Sequence, residues 1–257
     1  MKILVLIKMV LDTVEEIKID PSGKKVDTDA ARFILNDVDN HAVEEAILLK
    51  EKYGGHVTVL AVDAPEIDDA LFTAAAKGAD RIIKVTTGME QMSTQTMAKL
   101  LHSAIQNMNT QFDLILTGVQ ASDDIDGEIG PSLAAQFNLP YIGMAVKVLP
   151  DPQGRSTEVV TELGGGLYAS YRSSLPVIVG ISAAEKPPRY VPIMKVRMAM
   201  KSKKIETIPA PAPPPGSKID VLKLYKPVVT GGAAMITGTP EQIADNLVKI
   251  FRDRGLS

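Results

Sequence analysis

At 257 residues the chain is long enough for one large α/β domain, or for a domain with an extension. Its net charge of −3, with both signs interspersed, lacks the basic bias of a nucleic-acid-binding surface. It has no cysteine, which excludes structural disulfides, thiolate zinc sites, iron–sulfur ligation and a cysteine nucleophile within the chain.

The opening "MKILVLIK" is a strand-like apolar run. It is too short to span a membrane and has no signal-peptide cleavage pattern, so a cytoplasmic protein without membrane insertion is expected. Through the first 140 residues such runs alternate with helical patterns. "KILVLI" (2–7), "VTVLAV" (57–62), "RIIKV" (81–85) and "DLILTG" (113–118) are continuous and branched, as strands covered on both faces are. Between them "DNHAVEEAILLKEKYGG" places Val43, Ala46, Ile47 and Lys50 at helical spacing and stops at Gly54-Gly55. "PEIDDALFTAAAKGAD" opens with Pro65 in a first turn and ends at Gly78, and a third helix is predicted over 91–107. The pattern predicts a doubly wound, mainly parallel, Rossmann-like α/β sheet.

From about residue 140 the alternation and the Pro and Gly punctuation predict hairpins or added antiparallel edge strands. The run 209–217, "PAPAPPPGS", reads as an extended connector. This divides the chain into a nucleotide-binding α/β domain, 1–208, and an arm, 209–257, that ends in a helix. The helix has its start spelled out: Thr239 as cap, Pro240 in the first turn and Gln242 to complete a capping box. Ile243, Leu247, Ile250 and Phe251 form one apolar stripe that must dock on its own domain or on another subunit.

His41, His56 and His102 fall in separate elements without ligand spacing, so no metal site is expected. No Ser–His–acid motif, nucleophile elbow or Walker-A loop appears, and the chain does not read as a bond-breaking enzyme. The informative stretch is "GVQASDDIDGEIGP" (118–131), with Asp123, Asp124, Asp126 and Glu128 between a strand and a helix. Three readings fit. Acids near a helix N-terminus interact favourably with its dipole, by about 0.3–1 kcal/mol each. Clustered carboxylates also suit hard cations, although the spacing is not that of an EF-hand. Alternatively, main-chain N–H groups around Gly127 and Gly130 cradle a phosphate, while the carboxylates turn outward or accept ribose hydroxyls.

Several further motifs stand in order along nearly the whole chain. They are "IKMVLD" after the first strand, "NDVDNHAVEEAILLKEK", "AAAKGADR", "TGVQASDD", "ELGGGL", "LPVIVGI" and "PPRYVPIMK". Their sequence and spacing resemble the β subunit of an electron-transfer flavoprotein. The resemblance implies a heterodimer whose α subunit carries most of the redox FAD site. The β subunit would hold AMP, or a second FAD in electron-bifurcating members. Carried over by position, the nucleotide touches Leu6, then the turn Asn36, Asp37, Val38 and Asp39, and Asp63. It also touches the loop Gly118, Val119, Gln120, Ala121, Ser122, Asp123, Asp124, Ile125, Asp126, Gly127, Glu128 and Ile129. In that setting the loop is a main-chain anion site whose acids are not the phosphate ligands.

The loop matches neither the bifurcating pattern D-G-D-T-A-Q-V-G-P nor the AMP-binding pattern D-x-x-N-Q-T-G throughout, and AMP is the preferred occupant. The resemblance further implies partner docking through 187–204, with Val191, Ile193 and Met194 entering an apolar pocket and Lys195 and Arg197 steering an acidic partner. "RYVPIM" is shorter than the family's segment, which leaves Val191 in the place of its anchoring leucine. Glu162 matches a family glutamate that helps release the mobile flavin domain. The implied role is a carrier that takes electrons from acyl-CoA dehydrogenase-type flavoenzymes and passes them to a quinone reductase. The alternatives are an NADH-oxidising bifurcating subunit and a stand-alone nucleotide-binding module resembling universal stress proteins, which would leave 150–257 without a purpose.

Overall fold

The computed structural model describes residues 1–29, 31–88, 92–151, 153, 155–210, 220–228 and 231–256. β1 (Lys2–Ile7) opens the chain, followed by β2 (Met9–Leu11), β3 (Phe33–Leu35), α1 (Asp37–Tyr53), β4 (His56–Val62) and α2 (Ile67–Lys77). Next come β5 (Arg81–Thr86), α3 (Thr94–Asn107), β6 (Leu114–Gly118) and α4 (Ile129–Phe137). The second half contributes β7 (Tyr141–Pro150), β8 (Ser156–Gly164), β9 (Leu167–Ser174), β10 (Val177–Ile181), α5 (Ile193–Ser202), β11 (Glu206–Pro209) and α6 (Pro240–Asp253).

One nine-stranded sheet runs in the order β11-β5-β4-β1-β6-β10-β7-β8-β9. Pairing is parallel from β11 to β7 and antiparallel through β7, β8 and β9. Successive side chains of a strand point to opposite faces, and β1 divides its residues accordingly. Ile3, Val5 and Ile7 pack with Val43, Ala46 and Ile47 of α1 and with Ile67 and Leu71 of α2. Leu4 and Leu6 pack on the other face with Leu100, Leu101 and Ile105 of α3 and Leu133 of α4. The chain moves outward from β1 through α1 to β4 and through α2 to β5. It then returns by α3 to β6 on the far side of β1. Right-handed crossovers place helices from these two directions on opposite faces and open a crevice at the carboxyl ends of β1 and β6.

Four features depart from the sequence reading. β10 is not an edge addition: it lies between β6 and β7 with all five residues buried, as its unbroken "VIVGI" suits. Residues 193–202 of the expected docking loop form a helix, α5, which buries Val196 and Ala199 and packs against α2. β11 adds to the outer edge beside β5 and ends with Pro209, one residue past the expected domain boundary, at an edge position where a missing donor is tolerated. β2 and β3 form a short antiparallel ribbon just beyond β1. The rest of the expected connector, 211–217, lies outside the described residues.

At the C-terminus α6 has the anticipated capping box, with Gln242 N–H donating to the Thr239 hydroxyl at 3.4 Å and Thr239 N–H to Gln242 at 3.0 Å. It buries none of its residues. Among the described residues no helix is long and apolar enough to cross a membrane.

Candidate functional site

The crevice at the switch point is a cleft of about 250 Å³. One wall comes from the carboxyl ends of three strands, with Ile7 and Lys8 at the end of β1, Val62 and Asp63 at the end of β4, and Thr117 to Ala121 at the end of β6 and just beyond it. The first turn of α1 adds Asn36 and Asp39, and the acidic loop adds Asp124, Asp126, Gly127, Glu128 and Ile129.

Asp39 fixes the floor. Its carboxylate is buried and accepts the Lys8 N–H at 2.8 Å and the Gly118 N–H at 3.0 Å, which ties the ends of β1 and β6 to α1. Only a glycine fits at 118, because a Cβ there would stand 2.3 Å from Asp39 Oδ1 and 2.6 Å from Val38. Burial pushes the Asp39 carboxyl up to about 7, against the opposing pull of the N–H bonds from Lys8 and Gly118 and of Asn36. Asn36, at the start of α1, donates from Nδ2 to the Gln120 carbonyl at 2.9 Å and so holds the loop after β6.

The acids of the loop have their own partners. Lys8 Nζ bridges Asp123 at 2.7 Å and Asp124 at 3.0 Å. Burial opposes the charge on Lys8, yet the two carboxylates keep its pKa above the ordinary value. Asp126 accepts the Thr94 hydroxyl and, at 3.2 Å, the Glu128 N–H. The Glu128 side chain is exposed and makes no capping bond to α4. Among the described residues no group of three or more His, Cys, Asp or Glu is placed to hold a metal ion.

Two donors remain. The opening turn of α4 has no side-chain cap to satisfy its first N–H groups, and Glu128 and Ile129 at its start line the cleft. Thr117 lines the cleft, and its hydroxyl, buried beside Gly130 of α4 in a residue only 3% exposed, has no hydrogen-bond partner. An orphaned buried hydroxyl is costly unless a ligand satisfies it. Gly127 shapes the approach with φ +64°, and a Cβ there would stand 2.8 Å from the Val119 carbonyl. Together these groups put hydrogen-bond donors at one end of a largely apolar cleft, chemistry that suits an anion.

Not every expected residue lines this cleft. Leu6 is packed in the core below it, while its successors Ile7 and Lys8 line it. Asp37 and Val38, in the first turn of α1, and Ser122, Asp123 and Ile125, in the loop, are not among the residues that line it. Ile125 is exposed and has φ +46°. Sequence reasoning missed the side that α3 and the residue Met92 before it supply: Met92, Thr94, Met97 and Leu101 line the cleft. The i, i+3, i+7 spacing of Thr94, Met97 and Leu101 was the available signal.

The docking residues gather separately. Val191 is half-buried, whereas Ile193, Met194, Lys195 and Arg197 are exposed. Glu162 is exposed near the end of β8, far across the sheet order from β11, and is not brought near α5.

The electron transfer flavoprotein domain matches residues 24–213. Over 263 residues the chain is 31% identical to an electron transfer flavoprotein subunit beta of Thermoanaerobacterium thermosaccharolyticum, covering 99% of both chains. It is 28% identical to the subunit beta of Bacillus subtilis, covering 98% of each. Against the mitochondrial subunit beta of Arabidopsis thaliana it is 30% identical over 95% of this chain and 96% of that one. With a cleft at the switch point and this likeness along its whole length, the chain belongs to the electron transfer flavoprotein β-subunit family.

Proposed function

We propose that the chain is the β subunit of a heterodimeric electron-transfer flavoprotein and holds AMP in the cleft between β1 and β6. The α subunit binds the redox FAD. The assembled carrier works in the cytoplasm, taking electrons from acyl-CoA dehydrogenase-type flavoenzymes and delivering them to a quinone reductase. One observation carries the nucleotide assignment. The uncapped start of α4 and Thr117, whose buried hydroxyl has no partner, border a cleft of about 250 Å³. That size lies just below the roughly 300–1,000 Å³ found for small-ligand sites, which suits a mononucleotide better than a dinucleotide.

The residues fit the group. The first N–H groups of α4 and the Gly127 turn would take the phosphate, and Thr117 would add a hydroxyl donor. Val62, Met97 and Leu101 offer apolar surface to the base. AMP has no redox-active ring, so its part is to complete and stiffen the cleft; electron transfer belongs to the FAD of the α subunit. Lys8, tied to Asp123 and Asp124, pins the loop to the end of β1.

The docking reading is supported by α5. Its outer face exposes Ile193, Met194 and Met198 beside Lys195, Arg197 and Lys201, an apolar anchor ringed by positive charge. The test is to denature the purified heterodimer and quantify the released nucleotides. One AMP and one FAD per heterodimer is the expected result. Two FAD would favour the bifurcating reading, and ATP without flavin would favour a stand-alone nucleotide-binding module.

A further inference from the structure

Between β10 and β11 the chain leaves the middle of the sheet and returns at its outer edge, and α5 packs on α2 along the way. The first part of this strap is held by side chains of α1. His41 Nδ1 accepts the Ala184 N–H at 3.1 Å. Glu45, which is 1% exposed, accepts the Glu185 N–H at 2.9 Å through one oxygen and the Val148 N–H at 3.2 Å through the other. Glu44, 2% exposed, uses both oxygens on one residue: Oε2 accepts the Arg189 N–H at 2.9 Å, and Oε1 accepts Arg189 Nε at 2.7 Å. The far side of the same guanidinium forks onto Glu51 at 2.6 and 3.0 Å.

A buried carboxylate is retained only where its charge is fully met. Here Arg189 meets it, with Lys77 Nζ 3.8 Å away as a second cation. The planar fork fixes orientation as well as distance, since two carboxylates grip one guanidinium from two sides. The residues that follow are the exposed apolar ones: Tyr190 at 87%, Ile193 at 63% and Met194 at 63% exposure. The clamp thus lies immediately before the surface assigned to docking. Methionine and isoleucine in open solvent have no packing of their own to hold them in register, so the clamp and the seat of Val196 and Ala199 on α2 set their direction.

We propose that Glu44 is a positioning residue for partner docking: with Glu51 it grips Arg189 and presents the 190–198 face in one orientation to the flavoenzyme that delivers electrons. This inference rests on the docking reading above. Breaking the clamp leaves the flavin and the cleft intact but lets the face swing, so the partner pays an ordering cost on binding. The effect falls on KM for the electron donor more than on kcat.

The experiment uses the FAD-loaded αβ heterodimer, reduced by an acyl-CoA dehydrogenase supplied with its acyl-CoA, and separately by dithionite. Glu44→Gln and Arg189→Lys are expected to raise KM for the dehydrogenase at least tenfold, with kcat within about twofold and dithionite reduction unchanged. Glu51→Gln breaks only the exposed half of the fork and is expected to raise KM about threefold. It keeps the proposal testable if Glu44→Gln does not fold. Met194→Asp, run in parallel, separates the two levels of the argument. Slowing by Met194→Asp with wild-type KM in Arg189→Lys and Glu51→Gln would overturn the clamp and leave the docking surface standing. Wild-type behaviour in Met194→Asp as well would overturn both. Equal slowing with dithionite would also overturn the clamp, because it would place the damage at the flavin.

Discussion

Helices α1 and α6, of 17 and 14 residues, meet opposite fates in one chain. α1 lies between the sheet and the strap and buries eight residues, among them Asp39, Glu44 and Glu45. α6 has the cleaner apolar stripe and a full capping box, yet Leu247, Val248, Ile250 and Phe251 stand exposed. Amphipathic pattern therefore says that a face needs covering, and not which molecule covers it. In α1 the cover belongs to the same chain, and even its charged positions are used. In α6 the pattern is complete and the cover is missing among the described residues, which fits an arm shaped for another subunit.

The contrast can be broken by mutation. Ile47→Ala should destabilise the isolated chain by about 2–5 kcal/mol in urea unfolding, as cavity-forming changes in a packed core do. Phe251→Ala should stay within about 0.5 kcal/mol in the same assay, as surface changes do. A comparable loss for both would mean that α6 packs within its own chain. The loop that leads into α4 gives the next test. Gly127→Pro forces φ from +64° toward about −65° and removes a donor, and the heterodimer should lose most of its bound nucleotide. Glu128→Gln should retain it. Loss in Glu128→Gln with retention in Gly127→Pro would refute the main-chain cradle.

Asp39 supplies a pH signature. Its carboxyl titrates near 7 in the folded chain and near 3.9 when unfolded, so between those values the folded state holds the extra proton. Stability contributed by this group is therefore greatest near pH 4, falls as pH rises to 7 and is level above that. The difference in unfolding free energy between wild type and Asp39→Asn should shrink over that window. A flat difference would mean that the carboxylate is ionised throughout. At the proposed docking face, Met194→Asp should slow reduction by the donor dehydrogenase about tenfold, roughly 1.4 kcal/mol. Unchanged rates would remove α5 from the interface.

The parts of the molecule that were legible in the sequence are those set by local pattern. The buried runs at 2–7, 57–62, 81–85 and 113–118 became β1, β4, β5 and β6, and Thr239 with Gln242 capped α6 as read. What was missed depends on which distant element arrives. Nothing in "VIVGI" says that β10 inserts between β6 and β7, because parallel neighbours are chosen by crossovers and not by composition. Glu44 and Glu45 look like the solvent face of a helix until Arg189 and the N–H groups of the strap arrive to meet them. In the cleft, the strand-end and loop positions followed from the α/β pattern and the family likeness. Thr94 and Met97 did not, because α3 comes to the cleft by packing beside α4, which no local pattern announces.

The central claim divides the labour between the nucleotide-holding core and an arm that binds the partner, and one pair of readings on one variant tests it. A chain ending at Ser217 lacks α6 and is mixed with the α subunit, with nucleotide content and dissociation constant both measured. The account expects wild-type nucleotide content and an α-subunit affinity weakened on the order of 100-fold, about 2.7 kcal/mol. An unchanged dissociation constant, or loss of the nucleotide with the arm, would contradict it.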